Sequence, residues 1–239
     1  MNNTQRILMI IYFPMTLLIF IFDNIYPKEN IVLYLKYTIM ITLFLSAVAM
    51  KKKFFEQKIM ALSFFFLVIA DFFLVFVDTI DNLKMNLSPF GILGFLCAYL
   101  CLIAAYQKNF KLGKKEIAVA IPLVIIFICV FSFLIPYIKG IMKAGTLIFG
   151  AVLCYMTWIS ICTIFRNYFT KKSSWLIAIS GSLMFICDVG VACSMFYSPF
   201  PAKHVSWLTN IIWTAYIPGW TLLAVLISEK DLIIKDHHN

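Results

Sequence analysis

Three ionisable side chains sit where an apolar chain would carry none. Lys36, Asp71 and Asp188 each fall well inside a long run of hydrophobic residues. An ionisable group at mid-bilayer costs about 2.5–3.5 kcal/mol on insertion scales, so each one asks for a function or a partner. The plain reading gives each Asp a hydrogen bond from a Ser, Tyr or Trp on a neighbouring helix. The sharper reading is a carboxylate pair in a wet pocket, where desolvation and mutual repulsion keep one acid protonated beside an ionised partner. Such a pair donates a proton and accepts one from water within a single site. That chemistry suits hydrolysis through an oxocarbenium-like state.

The other polar residues have simpler expectations. Lys36 lies about six residues in from the end of its run, and its default role is to snorkel to the interface. The alternative is a contact to the phosphate of a lipid head group above the carboxylates. Asp23 and Asp78 fall at the ends of runs, within reach of water. Trp175, Trp207 and Tyr197 read as interfacial anchors. His204 reads as solvated, and the tail Asp236-His237-His238 is too short and isolated for a metal site. All seven cysteines lie in apolar runs without CxxC or Cys/His spacing, so free buried thiols are expected, with no metal site.

The elements that position these groups follow from composition. Hydrophobic residues make up 63% of the 239 and charged residues 13%, against ~45–50% and ~25% in ordinary globular chains. Mean hydropathy is +0.95. No soluble fold of this size has enough interior to hide that much apolar surface. The class is therefore an all-α polytopic membrane protein. Apolar runs near the roughly 20 residues that a spanning helix needs occur at about 7–22 (short, with room to extend to Ile25), 31–50, 59–77, 88–106, 117–138, 144–165, 175–197 and 206–228. These form one eight-span domain with short connections. Ser88-Pro89 is a cap and first-turn pair for the fourth span. Pro14, Pro122 and Pro218 lie inside spans, where neighbours can satisfy the freed carbonyls.

Charge sets the orientation. The net charge of +9 comes from short basic clusters between spans, not from a basic face, which argues against nucleic acid as a partner. Of the twenty Lys and Arg, fourteen fall in the N-terminus, the loops 51–58, 107–116 and 166–174, and the C-terminal tail; the alternate loops carry five. Eight spans with both termini cytoplasmic fit that split. Asp71 and Asp188 each lie thirteen residues past a cytoplasmic span boundary, at Lys58 and Trp175. Both carboxylates are then about 20 Å deep.

The two carboxylates also sit in similar words. Ser63-Phe-Phe-Phe-Leu-Val-Ile-Ala-Asp71 and Ser180-Gly-Ser-Leu-Met-Phe-Ile-Cys-Asp188 share a Ser, an Ile, a small residue and the Asp, 117 positions apart. Three spans intervene, so the two helices run the same way, as in a parallel repeat. A chance likeness between two apolar helices is the competing reading.

Several of these segments resemble the YhhN-like family of eight-span membrane proteins. Ala70-Asp71 followed by Gly91-Ile-Leu-Gly-Phe95-Leu-Cys-Ala-Tyr99 is similar to its first signature. Val152-Leu-Cys-Tyr155 is similar to its second, and Gly181-Ser-Leu-Met-Phe185-Ile-Cys187-Asp188 to its third. A last helix with Tyr216 in its first half completes the order, from about residue 60 to 228. The chain departs from the family pattern at Ala70 (usually Gly), Cys187 (usually Ser), Tyr99 (usually His), Leu102 (usually Tyr) and Trp220 (usually Gln).

The resemblance implies lysoplasmalogenase chemistry: cleavage of the vinyl-ether bond of a lysoplasmalogen to a fatty aldehyde and a glycerophospho-base. It implies Asp71 and Asp188 as the catalytic acid and base, without a cofactor. Substrate contacts are expected from Lys36, Tyr99, Tyr155 and Tyr216. The expected partners are a lysophospholipid substrate and the surrounding membrane lipids. The expected location is a bacterial cytoplasmic membrane, spanned many times; the sequence does not give an oligomeric state. Two other readings stand beside this one: a small proton-coupled transporter using the aspartates as a relay, and a non-catalytic lipid-binding relative.

Overall fold

A computed structural model describes residues 2–26, 29–80, 87–140, 142–197 and 202–234. The side chains of Asp78 and His204, and the Asp236-His237-His238 tail, lie outside the described residues. Eight long helices appear in order: α1 (Asn3–Ile25), α2 (Asn30–Ala49), α3 (Phe55–Asp71), α4 (Ser88–Tyr106), α5 (Lys114–Leu134), α6 (Met142–Cys162), α7 (Lys171–Phe196) and α8 (Ala202–Ile227). All eight are long and apolar enough to cross a membrane. The chain is an integral, multi-pass, all-helical protein.

Local chemistry starts and stops these helices. Asn2 caps α1 through a reciprocal box: its side chain accepts from the Gln5 N–H (2.8 Å), and its own N–H donates to Gln5 Oε1 (3.0 Å). That cap, and Asp23 near the far end, make α1 longer than the apolar run alone suggests. Thr170 caps α7 by accepting from the Ser173 N–H. At α4 the expected cap is shifted by one residue: Leu87 occupies the cap position and Ser88 opens the helix, with Pro89 in its first turn. Pro14, Pro122 and Pro218 all lie inside helices.

Bonds tie both terminal segments to one end of the bundle. Asn2 Nδ2 donates to the Ser228 carbonyl (2.8 Å), and Gln57 Nε2 donates to the Glu229 carbonyl (2.7 Å). Tyr168 Oη donates to Glu56 Oε1 (2.6 Å), and Phe169 forms an isolated bridge with Ile233. The two terminal segments and the basic loops 51–58 and 166–174 therefore share one end of the bundle.

Packing repeats between the halves. Sequential helices pack as α1/α2, α2/α3 and α3/α4, then α5/α6, α6/α7 and α7/α8. The informative pairs are non-sequential: α4 packs on α6, and α8 packs on α2. Those are equivalent contacts under an exchange of halves, as a parallel repeat requires. The equivalence breaks at α8, which packs extensively on α1 and also on α3, whereas α4 does not pack comparably on α5 or α7.

Small residues set the close approaches near the aspartates. A Cβ on Gly94 would lie 2.9–3.0 Å from the Ala70 backbone and Cβ, so α4 touches α3 one residue before Asp71. A Cβ on Gly181 would meet Ser160 Oγ at 2.1 Å, where α7 meets α6. Ser180 Oγ donates to the Gly219 carbonyl (2.8 Å) and ties α7 to α8. Beyond Asp71 the chain widens into a π-helix over Phe72–Phe76 and then tightens at Val77–Thr79. Single π turns inside spans occur often at functional sites.

Candidate active site

Asp71 closes α3 and is 2% exposed; Asp188 lies in the middle of α7 and is 6% exposed. Each is held by one tyrosine. Tyr216 Oη, from α8, donates to the Asp71 carboxylate, 2.7 Å from Oδ1 and 2.8 Å from Oδ2. Tyr99 Oη, from α4, donates to Asp188 Oδ2 in a short hydrogen bond. The pairing crosses the halves: the second half's tyrosine holds the first half's aspartate, and the reverse. Both residue types recur at the same spacing, since 71 to 188 and 99 to 216 are each 117 positions, and each tyrosine follows an alanine (Ala98, Ala215). Two independent Asp–Tyr bonds at one chain offset, exchanged between halves, are what a pseudo-two-fold axis through the site produces.

The two carboxylates share one chamber of about 620 Å³, to which both Asp71 and Asp188 contribute wall. The chamber wall also includes Glu29, Ser88, Ser194 and Thr209, so it runs from the buried acids to the end of the bundle away from the termini. A cavity of similar size, about 670 Å³, lies at the opposite end among Lys51, Lys52, Lys53 and Lys230. Neither Asp71 nor Asp188 reaches it, so the candidate chemistry belongs to the first chamber. Among the described residues no group of three or more His, Cys, Asp or Glu is arranged to hold a metal.

Lys36 corrects an expectation. It does not snorkel: it is 2% exposed and points into the chamber, where its ammonium donates to Asp23 Oδ1 at 2.6 Å. The ammonium also lies 4.6 Å from the centre of the Trp213 ring. Asp23, expected at a watery span end, is 8% exposed. The physical reason is the extra length of α1, which carries Asp23 inside the bundle beside the cation. A buried Lys with a carboxylate in contact has a partner for its head without reaching for the interface. Asp23 is the chamber-lining partner that sequence reasoning missed; the available signal was an acid and a base facing each other across a short interhelical connection.

The remaining expected site residues divide. Tyr99 and Tyr216 are fully or almost fully buried against the two aspartates. Tyr155 is not brought to them: it lines neither the chamber nor the smaller cavity beside it, accepts from Gln107 Nε2 (3.1 Å) and packs on Trp158. Trp220, 0% exposed, is packed against Phe64 and Tyr216. Its indole Nε1 has no hydrogen-bond partner among the described residues.

A sequence profile of the YhhN family matches residues 31–227, which takes in every helix from α2 to α8 and both aspartates. The chain belongs to the YhhN family. The match extends further toward the N-terminus than the motif segments alone and covers α2 with Lys36. Neither the curated proteins nor the solved structures give a match. Within this YhhN family chain, Gly91 and Gly181 of the motif segments both stand at crowded helix contacts, against Leu74 and Ser160. Their role here is to let helices close up around the acids.

Proposed function

We propose that this YhhN family protein hydrolyses the vinyl-ether bond of lysoplasmalogens, releasing a fatty aldehyde and a glycerophospho-base. The observation that carries the reading is the convergence of Asp71 and Asp188 on one chamber, each oriented by its own tyrosine. One aspartic acid, neutral, transfers its proton to the β-carbon of the enol ether. The double-bond electrons form that C–H bond, and the adjacent carbon becomes an oxocarbenium ion. The other aspartate, ionised, stabilises that cation and takes a proton from an attacking water. The resulting hemiacetal loses the glyceryl alcohol and leaves the aldehyde, with one water consumed and both carboxyls restored. Tyr99 and Tyr216 fix the carboxyl planes so that no reorganisation is needed at the moment of proton transfer. Lys36 supplies a cation for the substrate phosphate.

The test is aldehyde release from lysoplasmalogen by the purified protein in detergent. Asp71→Asn and Asp188→Asn each abolish release while the helical content and detergent-exclusion profile stay native. Aldehyde release at the native rate in either variant overturns the assignment of catalysis to the pair. A second reading, lipid binding without turnover, is favoured by Trp220, which seals apolar surface where relatives place a polar Gln. Under that reading the lysoplasmalogen is recovered intact from the protein. Flux driven by a pH gradient in liposomes, with no aldehyde, would instead make the aspartates a proton relay.

A further inference from the structure

We infer that the basic cavity at the terminal end of the bundle binds a net-anionic glycerophospholipid of the adjoining leaflet. The inference stands apart from the hydrolase reading, because this cavity and the chamber of the acids share no lining residue.

The walls are gathered from distant parts of the chain. Asn2 caps α1, Met50 closes α2, Lys51, Lys52 and Lys53 follow it in the loop to α3, and Lys230 follows α8. Together they border about 670 Å³. Lys51, Lys53 and Lys230 are exposed there, so a ligand reaches their ammonium groups.

The fold does not neutralise this charge. Among the described residues Lys51, Lys53 and Lys230 form no ion pair with a carboxylate. Lys53 lies over the Phe54 ring, 5.2 Å from its centre, which leaves its charge in place. Glu229 is the carboxylate among the described wall residues, and it is already taken: Lys172 donates to its Oε2 at 2.5 Å and Gln5 Nε2 at 2.8 Å. Lys52 has a structural task, donating to the Val48 and Met50 carbonyls at 2.8 Å each, where a cation suits the end of α2. Three free ammonium groups beside one spent carboxylate select an anion.

The apolar part of the wall separates a lipid from a soluble phosphate. Ile7, Leu8, Ala49 and Met50 line the cavity beside the lysines. Exposed hydrocarbon continues from them into the membrane-spanning part: Ile10 and Ile11, one turn on from Ile7, and Leu45, one turn before Ala49. A glycerophospholipid seated here puts its phosphate among the ammonium groups and its chains along α1 and α2. Basic pockets between spanning helices recognise lipid phosphates in this way. A choline head group is disfavoured, because its cation would enter a cluster of lysines with no free carboxylate. The basic loop 107–116 offers charge without this enclosure, since Lys108, Lys111 and Lys114 do not line the cavity.

The experiment is native mass spectrometry of the full-length protein from mixed micelles that hold phosphatidylglycerol or phosphatidylcholine with the same acyl chains. The native protein should retain phosphatidylglycerol about ten-fold more tightly than phosphatidylcholine. The triple variant Lys51→Gln/Lys53→Gln/Lys230→Gln should lose about ten-fold or more in affinity for phosphatidylglycerol, since each lysine near a membrane surface contributes roughly five-fold. The control Lys108→Gln/Lys111→Gln/Lys114→Gln removes the same charge from the loop 107–116 and should change that affinity by about two-fold or less. All these lysines are exposed, so both variants keep the fold, and melts without added lipid check it. Equal retention of the two lipids by the native protein overturns the inference. Equal losses in the two triple variants also overturn it, as attraction to diffuse surface charge. Displacement of the lipid by inorganic phosphate makes the ligand a soluble anion and overturns the lipid assignment.

Discussion

Tyr216→Phe isolates the part of the proposed mechanism that depends on geometry. One hydroxyl supplies both contacts to Asp71, at 2.7 and 2.8 Å, and Asp71 is 2% exposed. Phe keeps the ring and its edge contacts to Phe95 and Trp213 while removing the donor. A hydrogen bond to a charged group contributes about 1.5–3 kcal/mol net, and each ~1.4 kcal/mol in the barrier is a factor of ten in rate. Asp71 borders the chamber, so water replaces part of the lost bond and places the loss near the lower end. We expect kcat for aldehyde release to fall roughly ten- to thirty-fold. Tyr99→Phe removes the donor to Asp188, and of the two variants the one acting on the neutral carboxyl should lose less. The double variant should depart from the product of the two single losses, because the two carboxyls share one chamber and act in one reaction. The assay is a coupled aldehyde dehydrogenase readout in micelles, with thermal unfolding of each variant measured beside it. A Tyr216→Phe protein that turns over within about two-fold of the native rate, while Asp71→Asn is dead, would refute the claim that the tyrosine orients the carboxyl for chemistry.

Three further outcomes test the packing and the charge arrangement. Gly94→Ala places a Cβ against the Ala70 backbone at 2.9–3.0 Å; it should cost about 1–3 kcal/mol of stability and lower activity through the displaced Asp71, read by thermal melts and aldehyde release. Gly145→Ala, where nothing lies within 4 Å, should instead raise helix stability by about 0.5–1 kcal/mol, and a destabilised variant would contradict the placement of α6. Glu229 gives a pH signature at the terminal end of the bundle: partial burial pushes its carboxyl up, but hydrogen bonds from Lys172 and Gln5 and the Lys172 charge outweigh this and hold it below its ordinary value of 4.5. A depressed acid adds stability that is present above its ordinary range and lost as pH falls through the folded value. Melting temperature should therefore drop as pH goes below about 4.5 by less in Glu229→Gln than in the native protein, with a difference under about 1 kcal/mol because Lys172 is half exposed.

The span count, the eight apolar segments and the 117-residue echo between Asp71 and Asp188 were all legible in the chain. Each is a property of a run of residues or of a spacing, and the bilayer's thickness turns such runs into helices without reference to any partner. The family motifs were legible for the same reason, as ordered words.

What each polar side chain meets was not legible, because that depends on how every helix is rotated about its own axis. Rotation is set by contacts such as Gly94 on Ala70 and Gly181 on Ser160, which hydropathy does not encode. Tertiary packing alone turned Lys36 inward onto Asp23, crossed Tyr216 to Asp71 and Tyr99 to Asp188, and left Tyr155 with Gln107. A carboxylate's depth follows from counting residues at a fixed rise, whereas its neighbours follow from the angle at which other helices present theirs.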